Sequence, residues 1–369
     1  MNLLTLNAGS SSIKFALFAR DGDLATPLLA GQIEGLGAAG LTHAQALQQV
    51  LARVGSAPVA AVGHRIVHGG SGFAGPVLID DAAFAAMAAL QALAPLHQPH
   101  NLAGVQAARA AFQGVPQVAC FDTAFHRAQP ELNQRFALPQ ALHDQGVRRY
   151  GFHGLSYESI RDQLLAADPA AAQGRIVVAH LGNGASMCAM HRAASVATTM
   201  SFSPLDGLPM GTRCGRLDPA VVLHLLQQQG RSADEVSQLL HRESGLLGLS
   251  GLSSDMRELL ASHEPGARLA IDYFVEQVLR ELAALAAALR GIDMLVFTGG
   301  IGENAAALRE RIVHGAAWMG LRLDAPANAA GAMRIDAEGS AVQVRVLRTN
   351  EEAVIARHTA RQASLGAMP

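Results

Sequence analysis

The run LLTLNAGSSSIKFALF, residues 3–18, constrains the fold more than any other stretch. Ile13, Phe15 and Leu17 alternate with Lys14, Ala16 and Phe18, a period near two. Residues 3–7 and 13–19 therefore read as two strands around a Gly/Ser turn. A Walker A loop is followed by a helix, whereas here a strand follows. The unit is a β-hairpin with a tip of phosphate size. Lys14 is the sole lysine of the chain, the other basic side chains being arginine. A GC-rich coding bias explains the missing lysines but not the position of the remaining one.

A second hairpin of this kind reads from RIVVAHLGNGASMCAMH, residues 175–191. Two such units suggest two related halves. A third glycine turn, FTGGIGEN (297–304), stands between an apolar strand and a helix. Between these lie helical stretches. DDAAFAAMAALQALAPL (80–96) is expected to end at Pro95, and QVACFDTAF reads as a buried strand ending in Asp122. Two helices after residue 216 are expected to be capped by Asp218 and Asp234 and ended by Gly230 and Gly245. A long amphipathic helix covers 268–290, and a last helix starts at Thr349 or Asn350. Strands mixed with helices throughout indicate an α/β protein.

A chain of 369 residues exceeds one ordinary core, so two domains are expected. A net charge of −2 argues against a nucleic-acid partner. Cys120, Cys188 and Cys214 have no framework spacing, which predicts a reducing, cytoplasmic setting. The start reads as a strand and not a leader, and the most apolar stretch is too short and too interrupted to span a membrane.

The three glycine turns are the first candidate chemistry. Gly9 permits close backbone approach to an anion, Ser10, Ser11 and Ser12 offer donors, and Lys14 is a compact ammonium. A solvated turn is the plain alternative. Three such turns, each after an apolar strand, point to a nucleotide, and the GGIG turn suits its ribose and α-phosphate. Basic groups gather beside glycine and proline: His64, Arg65 and His68 in GHRIVHGG, His97 and His100 in LAPLHQPHN, His153 in YGFHGLS, Arg213 and Arg216 in MGTRCGRLDP. These are loop positions, where binding residues concentrate. Zinc-ligand spacing is missing. Asp122 and Glu351 are the acidic candidates. Helix-start roles would explain both, and Mg²⁺ would equally suit them.

In order along the chain run NAGSSSIK, HRIVHGG, LAPLHQPHN, FDTAFH, YGFHGLS, HLGNGAS, SPLDGLPMGTRCG, SGLLGLSGLSSDMRE, FTGGIGEN and TNEE. With this ordered set the chain resembles the acetate/propionate/butyrate kinase family, within the superfamily of actin, sugar kinases and heat-shock ATPase chaperones. The resemblance covers nearly the whole chain. It implies an α/β protein of two ribonuclease H-like domains flanking an ATP cleft. The N-terminal domain would be 1–125 plus the C-terminal helix 352–369, and the nucleotide-binding, dimerising domain 126–351. Carried over residue by residue, Asn7 and Glu351 are implied as magnesium-associated, with Mn²⁺ a possible substitute. Ser10, Ser12 and Lys14 would contact phosphate. His180, Leu181, Gly182, Asn183 and Gly184 would bind ATP or ADP, together with Asp255, Met256 and Arg257 and with Gly300, Ile301, Gly302, Glu303 and Asn304. Arg65 would hold the substrate carboxylate, and Val67, Leu96, Phe152 and Pro204 its methyl group. His153 and Arg213 would stabilise the transferring phosphoryl group, and Asp122 is the family's essential aspartate. A homodimer is also implied.

The sequence departs from the family where DTSMGFTPLEG reads ATTMSFSPLDG, at Ala197 and Ser201, and where HNPPN reads HQPHN. The segment before HRIVHGG is shorter. The expected reaction is reversible, Mg-dependent, in-line transfer from ATP to acetate, giving acetyl phosphate and ADP. A carboxylate is already ionised at neutral pH, so Asp122 is expected to orient a magnesium water or an Arg/His partner, with a base role the weaker reading. Propionate or butyrate is the near alternative. A nucleotide-driven binding protein on the actin-like fold is the distant one.

Overall fold

The computed structural model describes residues 1–9, 12–36 and 40–365. The chain forms two compact units. One comprises Met1–Arg127, Phe152–Ser159 and the residues from Asn350 onward; the other comprises Ala128–Gly151 and Ile160–Thr349. The segment Phe152–Ser159, which the sequence reading left with the second domain, packs with the first unit.

In the first unit, β1 (Asn2–Ala8), β2 (Ser12–Ala19) and β3 (Leu29–Glu34) form an antiparallel meander. β4 (Val59–Ile66) joins β1 in parallel, β5 is Val77–Leu78, and β6 (Gln117–Phe121) runs parallel to β4. The order is β3-β2-β1-β4-β6-β5. The period-two pattern decides which face each residue takes. Leu4, Leu6, Ile13 and Phe15 pack with Ala46, Val50 and Ala108 of the helices His43–Val54 and Gln98–Ala111. Leu3, Ala16 and Phe18 pack oppositely, with Ala353 and Ala356 of the helix Glu351–Leu365.

The second unit repeats the plan. β7 (Arg175–His180), β8 (Ser186–His191) and β9 (Ala194–Thr198) are an antiparallel meander, and β10 (Met294–Thr298) and β11 (Gln343–Val346) add in parallel. Its order, β11-β10-β7-β8-β9, matches β6-β4-β1-β2-β3 strand for strand. The two halves suggested by the hairpins are two copies of one sheet topology. In the helix Pro265–Leu289, Ala267, Ala270, Ile271, Phe274, Val278, Leu282 and Leu285 are buried at helical spacing.

Three local expectations are corrected. The helix after Asp80 ends at Ala89, well before Pro95, and a 3₁₀ turn Gln91–Leu93 follows. The helix Ala233–Arg242 is capped by Ser232, in a reciprocal box with Glu235, and Asp234 lies inside its first turn. Gly245 opens the helix Gly245–Ser250 instead of ending the preceding one.

Candidate active-site groups

In the first unit the parallel strand ends converge, as ligand sites of open α/β sheets do. Asn7 stands near the end of β1, Arg65 near the end of β4, and Asp122 directly after β6. Arg65 Nε donates to Asp122 Oδ1 at 3.0 Å and Nη2 to Oδ2 at 2.6 Å. Nη1 donates to Asn7 Oδ1 at 3.2 Å. Glu351, at the start of the C-terminal helix, brings Oε2 within 4.0 Å of Arg65 Nε. Four of the expected residues thus form one cluster. Burial opposes the guanidinium charge, but Asp122 and Glu351 outweigh it and hold the Arg65 pKa above its ordinary value. Burial pushes the Glu351 carboxyl up to about 7; Arg65 opposes this, and the Asp122 charge adds to it.

A guanidinium has five N–H donors. Three serve Asp122 and Asn7, which leaves one on Nη1 and one on Nη2.

His153 follows Asp122 in space. It has φ +58, a left-handed conformation uncommon outside glycine. Two hydrogen bonds hold this turn: Gly154 N donates to Asp122 O at 2.9 Å, and His126 Nε2 donates to Phe152 O at 2.9 Å. A Cβ on Gly154 would stand 2.1 Å from the Asp122 carbonyl, so only glycine permits this approach. Burial lowers the His126 pKa to about 4 and keeps the ring neutral. The Phe152 ring meets His68 edge-on at 5.5 Å. Phe152 and Val67 are buried and Leu96 half-buried.

Lys14 is exposed on β2 opposite Asn7, beside a shallow pocket that Asn350 and Glu352 also line. Ser12 closes the first turn, its carbonyl accepting from Gly9 N at 2.9 Å. Ser10 lies outside the described residues. His43, which sequence reasoning missed, places Nε2 3.0 Å from Gly9 O, and the departing His100 stacks on it at 5.4 Å.

In the second unit a cavity of about 650 Å³ is lined by Gly182, Asn183, Asp255, Met256, Arg257, Gly300, Ile301 and Asn304, all expected there. Ser254, Leu260 and Ala305 also line it. Leu260 falls one helical turn after Met256, which is the signal that would have found it. Leu181 is buried and forms the support: its carbonyl accepts from Ile301 N at 2.8 Å and Gly302 N at 3.0 Å. Glu303 turns to the backbone, accepting from Gly299 N and Thr349 N. His180 ends β7, and Gly184 lies in the turn before β8. The Arg257 side chain binds Asp255 and, with the Arg257 backbone N–H, lowers the Asp255 pKa to about 2. Arg213 is half-buried, its Nη1 donating to Pro204 O at 2.7 Å.

Among the described residues no three His, Cys, Asp or Glu side chains are grouped to hold a metal. Mg²⁺ needs only one or two carboxylates besides waters and phosphate oxygens. Asn7 and Glu351 fit that requirement: burial, with the Asp122 charge adding to it, raises the Glu351 carboxyl, and a cation beside it would favour its ionised form.

The family model described as "Acetokinase family" matches residues 37–357. An acetate kinase of Methylocella silvestris is 52% identical over 390 residues, covering 97% of this chain and 96% of the relative. One of Rhodopseudomonas palustris is 50% identical over 393 residues, covering 99% of each. Among solved structures, a propionate kinase of Francisella tularensis has TM-score 0.92 at 34% identity, covering 98% of this chain and 99% of that one. Porphyromonas gingivalis acetate kinase has TM-score 0.88 at 35% identity, with the same coverage.

Proposed function

The chain belongs to the acetokinase family, and from that premise we propose that it transfers the γ-phosphoryl group of ATP to acetate, reversibly, giving acetyl phosphate and ADP. The observation that carries the reading is the guanidinium of Arg65, fixed by Asp122 and Asn7 with one N–H on each Nη left over. A fixed guanidinium with donors to spare suits a carboxylate. Val67, Leu96 and Phe152, all of the first unit, supply apolar surface for a short acyl group.

Acetate arrives ionised, so no base is needed to activate it. What opposes reaction is bringing an anion to a polyphosphate, and catalysis is chiefly positioning and neutralisation. Asp122 spends both oxygens on Arg65, which supports an orienting role over a base role. His153 and Arg213 meet the charge of the transferring phosphoryl group, and Lys14 and Ser12 contact phosphate. The eight expected lining residues of the second unit's cavity hold the nucleotide, Leu181 supports them, and Glu303 fixes the backbone around it. Asn7 and Glu351 would hold Mg²⁺, which neutralises phosphate charge when bound.

The protein is read further as cytoplasmic and homodimeric. Three free cysteines support the first. Exposed Val221 and Leu223, on the helix Pro219–Gln227, support the second. Among the described residues no helix is long and apolar enough to cross a membrane.

The likeness to a propionate kinase structure favours propionate as the second reading. One methylene is worth only about 1–3 kcal/mol in such a pocket. Trapping acyl phosphate as hydroxamate with ATP, Mg²⁺ and C2–C4 carboxylates tests both. The highest kcat/KM is expected with acetate. No acyl phosphate from any of them would sink the assignment.

A further inference from the structure

The HQPHN run departs from the family pattern, and its two buried side-chain amides are not used by the chemistry above. Gln98 is wholly buried, accepting from His68 N at 3.2 Å and donating to His68 O at 3.1 Å. Asn101 is 4% exposed. Its Nδ2 donates to Ala8 O at 2.6 Å, and its Oδ1 accepts from Val67 N at 2.9 Å.

These partners belong to two different parts of the site. Ala8 ends β1 and leads into the first Gly/Ser turn; Val67 follows β4 and Arg65. The parallel register of β1 and β4 ends at Leu6 and His64. Past that point the ladder no longer sets the separation of the two strand ends. The Asn101 amide takes its place, with one donor and one acceptor in the spacing of a peptide group. Gly104, one turn along the same helix, makes this possible: a Cβ there would stand 2.6 Å from the Ala8 Cβ. The helix Gln98–Ala111 therefore lies against the strand end.

We propose that Asn101 is a positioning residue that fixes the distance between the stem of the phosphate-side turn and the acyl-side backbone at Val67. Transfer depends on that distance more steeply than binding of either substrate does, because a misplacement near 1 Å costs about 100-fold in rate. The assignment rests on the acetate kinase reading.

Two variants test it. Asn101→Leu removes both hydrogen bonds. Asn101→Asp keeps an acceptor for Val67 N–H but turns an oxygen toward the Ala8 carbonyl. Each should lower kcat by roughly 10- to 100-fold, with KM for ATP and acetate changed less than about threefold. Hydrogen exchange at the Val67 amide should quicken in Asn101→Leu and stay slow in Asn101→Asp. Unchanged kcat in the leucine variant would overturn the proposal, as would a loss that only follows the folded fraction. If the leucine variant does not fold, the aspartate variant decides by the same kcat and KM criteria. Wild-type protein that makes no acyl phosphate would sink the functional reading instead, and Val67 exchange would still decide whether the bridge exists.

Discussion

Arg65 and Asp122 meet at two points, Nε to Oδ1 at 3.0 Å and Nη2 to Oδ2 at 2.6 Å, with Asp122 only 1% exposed. The pair fixes the plane of the guanidinium and so the direction of its remaining donors. A lysine at 65 would keep the charge and lose the planar geometry. Arg65→Lys should raise KM for acetate by roughly 10- to 100-fold, the worth of one or two charge-assisted hydrogen bonds. KM for ATP should change less than about threefold. Arg65→Ala should in addition destabilise the fold by on the order of 3 kcal/mol, because it strands a buried carboxylate. Initial rates against each substrate and urea unfolding measure these. An equal rise in both KM values would contradict the carboxylate role.

Acid should unfold the protein as its buried histidines are forced to take up protons. His64, His68 and His126 are buried, and burial lowers each pKa to about 4. A base depressed from 6.5 in the unfolded chain contributes stability that is full above pH 6.5. It is lost as pH falls toward 4. Each ring contributes roughly 3 kcal/mol by this linkage. Glu351 acts oppositely, gaining stability on protonation as pH falls from about 7, but three rings outweigh one carboxyl. An unfolding midpoint between pH 6.5 and 4 is expected, followed by far-UV circular dichroism because Trp318 is 75% exposed and reports poorly. His64→Gln keeps a donor for Gln117 Oε1 and should move the midpoint to lower pH. An unmoved midpoint would remove His64 from the account.

The sheets were legible in the sequence because β1, β2, β7 and β8 are apolar runs buried along most of their length, and a glycine turn between apolar strands encodes a hairpin. Helix ends were less so. Asp234 has the cap chemistry, but Ser232 sits three residues before Glu235, and the reciprocal box decides. For the site, motif order supplied the residues and the fold supplied their meeting. Asn7 and Arg65 are 58 residues apart and touch only because β4 pairs beside β1. His126, Asn101 and Gln98 escaped notice for another reason. Each hydrogen-bonds to backbone, and such a bond leaves no periodic or paired signal in the sequence.

Gly299 and Gly300 are neighbours in sequence with opposite expected responses to a methyl group. Gly299 has φ +78, and a Cβ there would meet Leu181 O at 2.7 Å. Neither strain nor a backbone carbonyl can give way cheaply, so Gly299→Ala should cost about 1–3 kcal/mol of stability. Gly300 lines the cavity of the second unit, and a Cβ there meets nothing within 4 Å. Gly300→Ala should therefore leave stability within about 0.5 kcal/mol of wild type. Its methyl would occupy space assigned to the nucleotide, so KM for ATP should rise roughly tenfold, about the 1–3 kcal/mol of an overpacked contact. KM for acetate should stay unchanged. Thermal unfolding separates the two variants, and initial-rate kinetics locate the second. A Gly300→Ala enzyme with wild-type KM for ATP would move the nucleotide out of this cavity.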